Sequence, residues 1–126
     1  MDYNKLTSID FEQLEYEMIN HAKSYFQVSR MLAEATSKLD RLNEQYKSAK
    51  ASSVIAFKKQ LQAAGKKPTL NDVELYVDTE PNLKSLAEKR IDLQLEKDVL
   101  FGLLRSLEHK KDMLKSLSWS GSRNGT

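Results

Sequence analysis

FEQLEYEMINHAKSYFQVSRMLAEATSKLDRLNEQYKSAKASSVIA, residues 11–56, is the stretch that decides the fold. Taken in sevens from Phe11, one set of positions reads Phe11, Met18, Tyr25, Leu32, Leu39, Tyr46 and Ser53. The set three residues on reads Leu14, His21, Val28, Ala35, Leu42, Ala49 and Ala56. Twelve of these fourteen are apolar or aromatic, so the positions form one stripe along a helix. A stripe with this period is the seam by which a helix lies lengthwise against another helix. An alternation of period two appears nowhere in the stretch, which argues against strands.

Outward from this seam, Asp10 with Gln13 reads as a capping pair, so the helix is set to begin near residue 10. Past Ala56 the stripe moves round to Phe57 and Leu61. Ala63-Ala64-Gly65 ends the helix near residue 64, with Gly65 as its cap. Such a helix is roughly 80 Å long at the ~1.5 Å rise per residue. Lys66-Lys67-Pro68-Thr69 reads as a turn, and Thr69 caps a short helix over about 70–78. Pro81 starts a second long helix, because proline suits a first turn whose N–H groups need no partner. That helix, 81–117, carries a leucine every seventh residue, at Leu86, Leu93, Leu100, Leu107 and Leu114. Arg90, Lys97 and Lys111 fall on would-be seam positions and narrow the stripe. Gly102 within it either admits a close helix–helix approach or is incidental. Residues 118–126 read as a flexible tail.

The expectation is an all-α fold. It consists of a long antiparallel two-helix hairpin, coiled-coil-like, with a short connector helix, in a single domain over residues 1–117. Leu32, Leu39, Leu86, Leu93, Leu100 and Leu107 are its core seam. A two-helix layer hides only one stripe of each helix. Phe26, Met31, Val54, Ile55, Phe57, Ile91, Leu95, Val99 and Phe101 are then left over, which points to a homo-oligomer. The connector helix can pack on its own hairpin or on a neighbouring copy.

Composition agrees with long helices. The 126 residues include four glycines and two prolines, the residues that break helices. There is no cysteine, which excludes disulfides and thiolate metal sites. Met1-Asp2-Tyr3-Asn4-Lys5 lacks the basic start and apolar core of a signal peptide. No apolar run approaches the ~20 residues that span a bilayer. A cytoplasmic protein without a membrane partner is therefore expected.

No catalytic constellation, metal site or cofactor motif stands out. His21 lies on the seam and reads as a hydrogen-bonded core residue that sets register, while His109 reads as a surface residue. Gly65-Lys66-Lys67-Pro68 lacks the upstream glycine and the following Ser or Thr of a phosphate-binding loop. The informative signal is charge. Met1 to Glu17 carries one cation against five acids, a net of −4. Gln45 to Asn71 carries Lys47, Lys50, Lys58, Lys59, Lys66 and Lys67 and no acid. Such a segment suits the phosphates of single-stranded nucleic acid, bound through release of counterions. It is equally a solvated helix face. Tyr46 and Phe57 lie within it and read as core residues before they read as base-stacking ones.

His21-Ala22-Lys23-Ser24-Tyr25, the long helix, the basic segment, the Pro-containing connector and the leucine-rich last helix ending Lys110-Lys111-Asp112-Met113-Leu114 together resemble phage recombination mediators of the UvsY type. Ile55-Ala56-Phe57-Lys58-Lys59-Gln60-Leu61 is similar to that family's DNA-binding segment, Leu-Lys-x-Arg-Leu. Phe57, Lys58 and Leu61 fit it. Gln60 stands where the family has arginine, and Lys59 is the neighbouring cation able to replace it. The resemblance covers roughly residues 15–117. It implies a ring-like homo-oligomer without ATPase activity that binds single-stranded DNA. Such a protein helps a RecA-like recombinase displace a single-strand-binding protein, in the host cytoplasm if phage-encoded. Lys58 and then Lys59 would carry the phosphate contacts. The competing reading is a structural or chaperone-like coiled coil, such as a prefoldin-type hairpin or phage scaffold. A membrane-surface helix fits less well, because the seam is committed to a partner helix.

Overall fold

A computed structural model describes residues 2–124; for Phe11 and residues 120–124 it describes the backbone alone. The described residues form four α-helices and no strand: α1 (Tyr3–Thr7), α2 (Leu14–Ala63), α3 (Leu70–Thr79) and α4 (Pro81–Asn124). The all-α class and the hairpin-like pairing of α2 with α4 follow the sequence reading. No Gly or Pro interrupts α2 over its 50 residues, so nothing in its backbone chemistry breaks it.

Three boundaries differ from expectation. Asp10 does not pair with Gln13 in a capping box. Its Oδ1 accepts from the Glu12 N–H at 3.0 Å and caps a 3-10 turn, Phe11–Gln13, ahead of α2. The Asp10 N–H is met by Glu17 Oε1 at 3.4 Å instead. Before it stands α1, capped by Asp2, whose Oδ1 accepts from the Lys5 N–H at 3.2 Å. At the other end the chain stays helical through Asn124, although a tail is expected from residue 118. Extending a formed helix needs no new nucleation, so residues of modest propensity can continue it. Gly125 and Thr126 lie outside the described residues.

The chain divides into two compact units. The first comprises Met1–Ala35 and Glu96–Thr126. Here α2 and α4 run antiparallel, since His21 meets Leu107 while Glu17 meets Lys110. Val28, Leu103 and Leu107 form the core, with Leu6, Tyr25 and Leu104 packed on it. Each leucine buried in this way contributes about 1.5–3 kcal/mol. Leu6 brings α1 onto the cluster, and Lys110, only 5 % exposed, fastens it. Its Nζ donates to the Leu6 carbonyl at 2.9 Å and to Glu17 Oε2 at 2.7 Å. A buried ammonium is tolerable because it is both paired and hydrogen-bonded. The cation inside the seam is thus Lys110; Lys111 is exposed.

The second unit, Thr36–Leu95, holds the end of α2, the connector and the start of α4. Leu39, Leu42, Leu83 and Leu86 are buried in it. Gly65, at φ +75°, ends α2 in the left-handed conformation that glycine adopts without penalty. The Lys66 N–H reaches the Leu61 carbonyl at 2.9 Å and the Gly65 N–H the Gln62 carbonyl at 3.0 Å, which closes the last turn. Thr69 and Asp72 cap α3 reciprocally: Asp72 N–H to Thr69 Oγ1 and Thr69 N–H to Asp72 Oδ2, both 3.2 Å. Glu80 serves two helices. Its N–H donates to the Tyr76 carbonyl at 2.8 Å, and its Oε2 accepts from the Leu83 N–H at 2.6 Å. The connector helix packs on its own chain, with Tyr76 stacked on Phe57 at 4.3 Å between centroids and 8° between planes.

The stripe of α2 drifts earlier than its heptads suggest. Ala56 is exposed, whereas Val54, Phe57 and Leu61 are half-buried. Met18 is also exposed. Of the nine apolar residues left over by the seam, Met31, Val54 and Phe57 find partial cover. Phe26, Ile55, Ile91, Leu95, Val99 and Phe101 stay exposed, Phe26 by 70 %. A Cβ built on Gly102 meets nothing within 4 Å, so among the described residues no other helix of the chain approaches closely there.

Candidate nucleic-acid interface

The six lysines of the acid-free segment all lie in the second unit, and all are exposed. Lys47, Lys50, Lys58 and Lys59 are on α2; Lys66 and Lys67 follow its cap. At ~3.6 residues per turn, Lys47 and Lys58 share one line along the helix, and Lys50 lies about a sixth of a turn to one side. Lys59 is rotated by about 100° from Lys58, so the helix presents its lysines over a broad face and not in a single row.

The connector brings Asp72 to this segment. Lys66 and Asp72 line the same hollow of about 350 Å³, with Phe57, Leu61 and Tyr76. Hydrogen bonds from the Thr69 side chain and then its backbone hold the Asp72 carboxyl below its ordinary value; burial opposes them, and the charge of Lys66 adds a still smaller lowering. Lys66 therefore spends part of its field on Asp72.

Neither aromatic residue of the segment is free. Phe57 is stacked on Tyr76, and the Arg90 guanidinium sits 4.5 Å from the Tyr46 ring centroid. Both are half-buried, as a core role requires. The segment thus offers charge without a stacking platform. Arg90, set in the sequence as an awkward seam cation, finds its place on Tyr46.

The two histidines separate as expected. His21 is 7 % exposed and bonded to the opposite helix, and His109 is exposed. Beside His21, the Tyr25 Oη donates to Glu108 Oε1 at 3.1 Å. That hydrogen bond, with burial and the Glu108 charge, raises the phenol above its ordinary value. Among the described residues no group of three or more His, Asp or Glu is placed to hold a metal ion. No helix among them is long and apolar enough to cross a membrane.

The pairing of α2 with α4, the capped connector and the short N-terminal helix together define a backbone that can be compared with known ones. It is similar to that of the bacteriophage T4 recombination mediator protein UvsY. The TM-score with that crystal structure is 0.80, over 97 % of this chain and 92 % of the other, at 13 % sequence identity. At that identity the likeness establishes the fold alone. No protein-family model matches the chain, and no curated protein sequence does.

Proposed function

We propose that this chain is a non-enzymatic recombination mediator that binds single-stranded DNA through Lys47, Lys50, Lys58, Lys59, Lys66 and Lys67. One observation carries the reading. In a fold similar to a recombination mediator, the one long acid-free segment keeps all six of its lysines exposed. Six ammonium groups neutralise phosphates without reading bases, and Phe57 and Tyr46, already engaged by Tyr76 and Arg90, add no base preference. Binding is then tolerant of sequence and steeply dependent on salt. By the resemblance, its partners are a RecA-like recombinase and a single-strand-binding protein. Its other partner is itself, because a homo-oligomer would cover Phe26, Ile91, Leu95, Val99 and Phe101, all of which one copy leaves bare.

The test is fluorescence anisotropy with a labelled oligonucleotide. Log affinity should fall against log salt with a slope approaching about −4 if all six lysines engage, at ~0.7 per phosphate on a single strand. Lys58→Ala with Lys59→Ala should weaken binding to all sequences alike and leave the assembly state unchanged. Normal binding by the double variant would remove these lysines from the site. No binding by the parent at micromolar protein would favour a structural coiled coil instead.

A further inference from the structure

A second charged feature of this unit is not part of the lysine segment. Between α2 and α4 opens a cleft of about 520 Å³, within the range of small-ligand sites. Its floor is aliphatic, made by Leu42, Leu86 and Leu93. Its rim carries three cations, Lys38, Arg41 and Lys89, all exposed. Among the described residues none of the three is in an ion pair. Arg41 donates to Ser37 Oγ at 3.2 Å and keeps its remaining guanidinium N–H groups for other acceptors.

We propose that this cleft is a docking site for a partner peptide that joins acidic residues to aliphatic ones. Charge and surface of the cleft both complement such a peptide. Leucine side chains on the peptide would leave water for the leucine floor, and flanking carboxylates would meet the three cations. Gln45 at the edge offers an amide donor and acceptor, which suit a peptide main chain. A nucleic-acid strand fits poorly. Among the described residues no aromatic side chain lines the cleft to stack on a base, and Asp92 on the rim repels an evenly charged phosphate chain. A peptide can place its acids away from Asp92. The inference is independent of DNA binding by the lysine segment.

The experiment uses the full chain and a fluorescein-labelled octapeptide of six acidic residues and two leucines, read by anisotropy at physiological salt. Saturable binding at micromolar protein is expected. Replacing the two peptide leucines with serine, or introducing Lys38→Gln with Lys89→Gln, should each weaken it about tenfold. The conservative pair Lys38→Arg with Lys89→Arg should retain it, and both double variants should melt like the parent because these side chains are exposed. Oligonucleotide affinity of the glutamine variant should change far less than peptide affinity. Absence of saturable binding, equal binding of the leucine and serine peptides, or displacement of the peptide by an oligonucleotide would overturn the proposal. A chain that takes the peptide but not DNA would sink the DNA reading and leave this one standing.

Discussion

His21 and Leu107, 86 positions apart in the chain, are joined at 2.7 Å between Nε2 and the carbonyl oxygen. A carbonyl only accepts, so the imidazole donates from Nε2 in the tautomer that carries hydrogen there. The bond ties α2 to α4 at one register, and the ring packs beside Tyr25 at 6.1 Å. A slip of one helix along the other would leave the imidazole N–H buried without a partner. His21→Ala removes this bond and leaves a cavity in the seam. It should lower the free energy of unfolding by about 2–3 kcal/mol. Urea denaturation checks this, and an unchanged midpoint would show that the bond does not set register.

Lys110 makes the second long-range polar tie. Lys110→Met keeps most of the aliphatic stem but leaves Glu17 without its cation and the Leu6 carbonyl without its donor. Breaking a pair of this kind typically costs ~3–5 kcal/mol when fully buried. Glu17 is 18 % exposed, so about 2–3 kcal/mol is expected here. The loss should be local as well as global. Amide exchange in α1, Tyr3–Thr7, should rise more than in the middle of α2, because α1 holds no buried residue of its own. Equal exchange in both would remove Lys110 as the fastening of α1.

The seam was legible because its signal is periodic and long. Val28, Ala35, Leu39 and Leu42 on α2, and Leu86, Leu100, Leu107 and Leu114 on α4, sit on heptad positions and are buried, while Leu32 and Leu93 of the same rows are half-buried. Short or solitary features were not legible. Five residues of α1 are too few to show a period. Lys110 stands three residues after Leu107, in register with Leu103, and only its position betrays it, since a lysine ordinarily reads as surface. The charge run identified the candidate lysines, but not that Asp72 comes round to Lys66 through the turn. Nor could it show that Phe57 and Tyr46 are engaged by Tyr76 and Arg90, because these partners lie on other helices.

Gly102 gives a prediction of opposite sign. Glycine within a helix is less favourable than alanine by about 1 kcal/mol. A Cβ at this position meets nothing within 4 Å. Gly102→Ala should therefore stabilise the isolated chain by about 0.5–1 kcal/mol, measured by thermal or urea unfolding. A destabilised variant would mean that another surface, in practice a second copy, presses on this stretch of α4.

The cap of α3 should respond to acid. Asp72 accepts from Thr69 in the folded chain, and its carboxyl titrates below the ordinary 3.8. A carboxylate whose folded pKa is depressed binds protons less readily in the folded state than in the unfolded one. Its contribution is therefore present in full above the ordinary value, and it is lost as pH falls below 3.8 through the folded value. Amide exchange over Leu70–Thr79 should accelerate in that window, ahead of exchange in the middle of α2. Asp72→Asn cannot titrate and should abolish this acid-dependent difference. A carboxyl titration by NMR that placed Asp72 at or above its ordinary value would show that the reciprocal cap with Thr69 does not persist in solution.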